Sequence, residues 1–264
     1  MSKERTSSKR TEGKAWEAHP FHRALTQGTE HFLMTEPTET LKNAVQELVP
    51  ETERPTVSKA IDFAERVHAG QMREDGKTPH IKHVLRVAYR VAKARNNGHE
   101  ISPAQVLTGI LHDTEEDYPL HPDDKATSQH CYRAEFTEVF GQDDLAEEVY
   151  AGVSAMNKYS PSGKKPEAEY HEGITEQNLW GVKAVDRTDS LAGDLAVART
   201  KDYDKRSLNR VKRSLQKTER ILPLVTETDA YALEYAESAV DYAKKVIGEE
   251  ETQTLFDTTV HAQA

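Results

Sequence analysis

The stretch Leu107-Thr108-Gly109-Ile110-Leu111-His112-Asp113-Thr114-Glu115-Glu116-Asp117 decides how this chain is read. A mostly apolar run leads straight into an adjacent His-Asp pair, and an acidic run follows. A helix apolar enough to be buried needs partners for such groups, because buried charge is costly unless it is paired or coordinates a metal. Pro103 falls in the first turn of this helix, where its missing N–H costs nothing. Acids are disfavoured at a helix C-terminus, so Glu116 and Asp117 at the end of the run predict a role beyond a solvated helix end.

Working outward, the apolar residues recur at helical spacing on both sides. Upstream, Ile81, Val84, Leu85, Ala88, Val91 and Ala92 form a clean stripe that Asn96-Asn97-Gly98 terminates. Before it, Ala60, Phe63, Ala64 and Val67 share a face that starts at Thr56 or Ser58 and stops at Gly70. Leu41, Ala44, Val45 and Leu48 make an earlier helix, beginning near Thr38 and ended by Pro50.

Downstream, a helix is predicted over 125–140, and another carries Leu145, Val149, Val153 and Met156. Residues 157–170 are rich in Ser, Pro, Gly and Lys and read as a mobile loop. A helix with Leu179, Val182, Val185 and Asp186 follows, then two amphipathic helices. One bears Leu208, Val211, Leu215 and Leu222, the other Leu233, Ala236, Val240, Ala243 and Ile247. No strand and no repeat stands out, so the expected class is all-α. Residues 37–250 are expected to form one helical domain. Residues 1–36 are expected to be a disordered tail and an irregular arm, and 251–264 a frayed C-terminus.

The chain has 264 residues, of which 36% are hydrophobic and 30% charged, which suits one domain of ordinary size. No apolar run is long enough to span a membrane, and the polar N-terminus has no signal-peptide core. The single Cys131 cannot make an internal disulfide, and a cytoplasmic protein is the simplest expectation. A net charge of −10 argues against general binding to nucleic acid or anionic membrane. An anionic ligand would need local Lys/Arg or a metal.

Several side chains could converge on the His-Asp pair. His83 lies one turn from His80 on the upstream helix, and Asp186 interrupts the apolar face of Leu179 and Val182. His83, His112, Asp113 and Asp186 together make a mixed imidazole–carboxylate set that suits Mn²⁺, Fe²⁺ or Zn²⁺ better than Ca²⁺. Singly, each also fits a hydrogen-bonded core histidine or an acid paired with an Arg, and spacing alone leaves both readings open. His19, His22 and His31 complete no ligand pattern and read as surface histidines. Lys82, Arg86 and Arg90, at i, i+4 and i+8, read as a solvated helix face.

Four segments, in order, carry a resemblance. They are Ala64-Glu65-Arg66-Val67-His68-Ala69-Gly70-Gln71, then Arg73 with Gly76-Lys77-Thr78-Pro79-His80-Ile81-Lys82-His83, then Leu111–Asp117, then Val182-Lys183-Ala184-Val185-Asp186-Arg187. From about Ser58 to Leu224 the chain resembles the HD-domain metal-dependent phosphohydrolases, and most of all the RelA/SpoT hydrolase domain and the small alarmone hydrolases. The resemblance implies an HD-domain helical bundle in which His83, His112, Asp113 and Asp186 hold one divalent metal, most often Mn²⁺. It further implies that Glu116 and Asp117 position or deprotonate an attacking water. His68 would stand near the metal. Arg73 and Lys77 would contact a nucleotide from the loop before His83, and Lys183 and Arg187, which flank Asp186, are further substrate-binding candidates.

The chain departs from that family at Pro79-His80-Ile81, where Pro-Tyr-Ile is usual, and at Thr188-Asp189-Ser190, where the family carries a substrate-binding Asn. His80 and Ser190 are therefore where the substrate question sits. The expected function is hydrolysis of a nucleotide phosphate, with the 3′-diphosphate of (p)ppGpp as first choice; the expected partner is a small-molecule nucleotide, with no nucleic acid and no membrane. The alternatives are another nucleotide, such as a deoxynucleotide or phosphorylated dinucleotide, and a non-catalytic nucleotide-binding module. The remaining length leaves no room for a second, nucleotide-synthetase domain. Glu115, between the metal pair and the acids, is expected to be dispensable.

Overall fold

The computed structural model describes residues 14–118, 125–160, 162–226 and 229–262. The described residues are almost wholly helical, as the apolar periodicity predicts. The first half comprises α1 (Pro20–Gln27), α2 (Thr29–Thr35), α3 (Thr38–Leu48), α4 (Arg54–Val67), α5 (Ile81–Asn96), α6 (Pro103–Leu111) and the single turn α7 (Thr114–Asp117). The second half comprises α8 (Lys125–Phe140), α9 (Asp144–Met156), α10 (Glu167–Glu176), α11 (Trp180–Thr200), α12 (Lys205–Ile221) and α13 (Ala230–Ala262). Two-residue strands β1 (Tyr159–Ser160) and β2 (Gly163–Lys164) pair as a small antiparallel ribbon.

Helix α6 is the axis of the larger core. A capping box starts it: Ser102 Oγ accepts from Gln105 N at 3.1 Å, and Gln105 Oε1 accepts from Ser102 N at 2.8 Å. Every residue from Ala104 to Leu111 is buried. Against it pack α5, α9 and α4, whose Val84, Val87, Val91, Val153 and Ile61 are all within 1% of complete burial. A second core joins α1, α12, α13 and the later part of α11 through Phe21, Leu25, Val211, Tyr242 and Leu195. Helix α11 belongs to both. Its Val182, Ala184 and Val185 lie in the first core, and its Leu191, Ala192, Leu195 and Ala198 in the second. Residues 186–190 thus fall at the junction, and polar groups there can face a cleft rather than either core.

Three expectations change. The stretch expected as an irregular arm is helical. Trp16 sits in a 3₁₀ turn (Ala15–Ala18) and packs edge-on against Tyr203, 5.1 Å between ring centroids, and against Tyr242. The arm's order comes from these distant aromatics, and no local period announces it. The expected mobile loop 157–170 contains the β-ribbon and the start of α10. The expected frayed end continues as helix to Ala262. The expected tail, apart from residue 14 onward, lies outside the described residues.

Candidate metal centre and phosphate pocket

The His-Asp pair falls at a break in the chain. Helix α6 stops at Leu111, His112 and Asp113 form the joint, and α7 restarts at Thr114. Thr114 fixes the joint, its Oγ1 donating to the Leu111 carbonyl at 2.6 Å and lying 2.9 Å from Tyr132 Oη. The acidic run therefore begins a new turn and does not end an old helix, which corrects the expectation of an unfavourable C-terminus.

The four predicted ligands converge. His83 Nε2 is 3.2 Å from Asp186 Oδ1 and 3.8 Å from Asp113 Oδ2. His112 Nε2 is 3.3 Å from Asp113 Oδ2 and 3.7 Å from Asp186 Oδ1. Two nitrogens from α5 and the α6–α7 joint thus face two oxygens from the joint and α11. His83, His112 and Asp113 form a group whose ligand atoms lie within 4.8 Å of one another, and such a group could hold a metal ion.

The other ring nitrogen of each histidine is held from behind. His83 Nδ1 is 2.7 Å from Asp189 Oδ2, and His112 Nδ1 is 3.0 Å from the Gly109 carbonyl. That arrangement puts the proton on Nδ1 and leaves the Nε2 lone pair facing the cluster. Nε2 of His112 is buried with no hydrogen-bond partner among the described residues. A buried acceptor without a donor is costly, and a cation satisfies it, so the donor set fits a metal.

The charges agree with this geometry at three of the four groups; at His112 burial is outweighed by the Asp113 and Asp186 carboxylates, which raise the imidazole. Burial raises the carboxyl of Asp113, but His112 and His80 outweigh it and hold Asp113 well below the usual carboxylate range. Burial likewise opposes Asp186, whose carboxylate is held low by Arg187 and Lys183. The Asp186 oxygen turned away from His83 accepts from Lys183 Nζ at 2.9 Å. Burial, with Arg73 nearby, lowers His83 and favours its neutral, ligating form.

A pocket of about 710 Å³ opens over this cluster. Arg73, Lys77, His80, Arg187 and Ser190, all predicted to bind substrate, line it, as do Glu116 and Asp117. The loop that carries Arg73 is stiffened by its own bonds. Asp75 accepts from Lys77 N and Thr78 N at 2.8 Å each, Gly76 takes φ 70°, and Arg73 N donates to Thr78 O at 2.7 Å. The loop aims Arg73 so that Nη2 donates to Ser190 Oγ at 3.1 Å. Two substrate candidates separated by more than a hundred residues therefore meet. Lys183 does not line the pocket; it is buried behind Asp186.

The two acids differ. Glu116 pairs with Lys158 at 3.2 Å. Asp117 turns toward histidines, its Oδ2 being 3.5 Å from His68 Nδ1 and 3.9 Å from His80 Nε2. Glu115 is not the dispensable residue that its position predicts. It is buried, and burial raises its carboxyl even though Asn157 and Ser154 hydrogen-bond to it.

Other groups escaped the sequence reading. Arg86 and Arg90 are not a solvated face. Arg86, buried, and Arg90, half-buried, both close on Asp189: Arg86 Nε reaches Oδ1 and Nη2 reaches Oδ2 at 2.8 Å each, and Arg90 Nη1 reaches Oδ1 at 2.7 Å. Asp189 lies three residues after Asp186, on the same helix face, and that spacing was the available signal. Lys158, Arg210 and Lys217 also line the pocket, and no local pattern distinguishes them. His19 and His22 serve to dock the arm, on Asp241 and Tyr242 at 3.0 and 2.9 Å. Cys131 is free and exposed. No helix among the described residues is long and apolar enough to cross a membrane.

No protein-family model matches the chain. Over 125 residues it is 30% identical to a protein of Myxococcus xanthus named GTP pyrophosphokinase. The match takes in 47% of this chain and spans 14% of that relative's length. The expected function is corrected by this finding. That name denotes transfer of a pyrophosphate group to a nucleotide and not its release to water, so assignment as a (p)ppGpp 3′-pyrophosphohydrolase, or as a nucleotide phosphohydrolase of another kind, does not stand.

Proposed function

We propose that His83, His112, Asp113 and Asp186 hold one divalent cation, with Mn²⁺ the first choice for two imidazoles and two carboxylates. We further propose that the chain is an enzyme acting on the phosphates of a guanine nucleotide. On this reading the His112-Asp113 pair is an HD-type centre. The observation that carries it is the convergence of four ligand atoms, 3.2–3.8 Å between partners, at the floor of a pocket walled by Arg73, Lys77 and Arg187. The name of the Myxococcus xanthus relative supports a guanine nucleotide as the ligand.

A bound divalent cation supplies charge neutralisation at a phosphate oxygen. The chain's own groups do the rest. Arg187 and Arg73 offer planar donor pairs to further phosphate oxygens, and Lys77 a point charge at the mouth. Asp189 holds His83 in one tautomer, so the ligand geometry is set before any nucleotide enters. Glu116 and Asp117 stand on the wall beside the centre, within reach of a proton from the group that attacks phosphorus.

The test is product analysis. The protein is incubated with Mn²⁺ and GTP or GDP, with and without a second nucleoside triphosphate as donor, and followed by phosphorus NMR. New phosphorus resonances are expected in the wild type and not in Asp186→Ala. Unchanged nucleotides in every mixture, with metal bound, would overturn the enzymatic reading.

A further inference from the structure

His68, His80 and Asp117 form a second group of potential ligands, their ligand atoms within 4.8 Å of one another. They stand directly beside the first. Asp113 Oδ2 is 3.1 Å from His80 Nε2 and 3.3 Å from His112 Nε2, so one carboxylate oxygen faces both groups. The rings of His68 and His80 lie 4.5 Å apart, tilted by 32°. Two imidazoles held this closely cannot both be charged without repulsion, and His80 lines the pocket.

His68 is buried, 2% exposed, and its Nε2 has no hydrogen-bond partner among the described residues. Its Nδ1 lies 3.0 Å from Gln71 Oε1 and 3.5 Å from Asp117 Oδ2. A lone core histidine is usually satisfied on both sides; this one is not. His80 is placed by its backbone, its N–H donating to the Gln71 carbonyl at 2.9 Å. The same loop base therefore presents His68, Gln71 and His80 toward Asp117.

We infer that His68, His80 and Asp117 bind a second divalent cation, with Asp113 bridging it to the first. This deepens the metal-centre reading above and rests on it. Two-ion sites hold their ions about 3.5–4 Å apart and clamp a phosphate group from two sides. The pair would give the pocket two cations at its floor, the charge that a polyphosphate or pyrophosphate group requires. Asp117 is then a ligand, while Glu116, paired with Lys158, is the carboxylate left outside the metal set.

Metal content decides it. The full-length protein is loaded with Mn²⁺, desalted, and measured by elemental analysis and low-temperature electron paramagnetic resonance. Wild type is expected to hold two ions per chain and to show a spin-coupled pair. His80→Phe, and independently His68→Leu, are expected to hold one ion with the spectrum of isolated Mn²⁺, with circular dichroism confirming the fold. One ion in wild type at saturating Mn²⁺ overturns the second site and leaves the first standing. Two ions in both folded variants also overturn it, as does loss of both ions in folded His80→Phe, since His80 would then only orient Asp113. No ion in wild type overturns the metal-centre reading itself.

Discussion

Asp189 is the residue on which the site's rigidity turns. One carboxylate with no exposed surface takes His83, Arg86 and Arg90 at 2.7–2.8 Å. Arg90 passes the network on to Glu30, which also accepts from Tyr235 Oη at 3.0 Å. Removing one partner from a buried charge set is far costlier than removing a surface pair, since the cations left behind stay desolvated. Asp189→Asn keeps the shape and deletes the charge. It should cost about 3–5 kcal/mol in urea unfolding and weaken metal binding roughly 10–100-fold. A loss no larger than that of a surface substitution would show that the arginines find other partners. The sequence could not reveal this network. Charges at i and i+4 look alike on a wet face and in a buried cluster, and the deciding acid lies a hundred residues away. Periodicity alone showed only that His83 and Asp186 were polar where an apolar stripe ran; it was the family resemblance that grouped His83, His112, Asp113 and Asp186 as candidate ligands, and the structure brings the four together.

At the scale of elements, helices with a stripe were legible and helices without one were not. Helices α5 and α6 follow their apolar pattern because each buries one long face or all of itself. The arm helices α1 and α2 are short: Trp16, Phe21 and Leu25 before and in α1 join the second core, and Leu33 of α2 joins the first, contacts that no window of local sequence contains. Close approach of α6 and α9 is another such feature. Gly152 faces Thr108, and a Cβ there would come within 2.6 Å of Thr108 Oγ1. Gly152→Ala should therefore destabilise the protein by about 1–3 kcal/mol through overpacking, despite the better helix propensity of Ala. Thermal unfolding measures it, and Gly152→Ala in a Thr108→Ala background should recover part of the loss relative to Thr108→Ala alone, because the hydroxyl and methyl of Thr108 are the atoms in the way. A stability gain in the single variant would contradict so close a crossing of the two helices.

At the scale of the molecule, an acidic chain with net charge −10 carries a cleft walled by Arg73, Lys77, Lys158, Arg187, Arg210 and Lys217. The overall field repels a polyanion, so affinity has to come from these local cations and from bound metal. The cleft lies where α11 passes from one core to the other, and both cores are therefore needed to hold it. The resemblance in the sequence pointed to the metal set and to the pocket loop. It pointed to hydrolysis as well, and the pyrophosphokinase name of the relative corrects that. Whether water or a nucleotide hydroxyl attacks phosphorus decides between hydrolysis and transfer, and no ligand pattern encodes that choice. A nucleotide held through a cation on His83, His112, Asp113 and Asp186 must lose affinity when that cation is removed. Calorimetric titration of GDP into the protein, with Mn²⁺ and again with excess chelator, measures this. Binding with Mn²⁺ is expected to weaken at least about tenfold on chelation, and equally in His112→Ala with Mn²⁺ present. Equal affinity with and without the chelator, or a His112→Ala protein that binds GDP as the wild type does, would contradict a cation-held nucleotide.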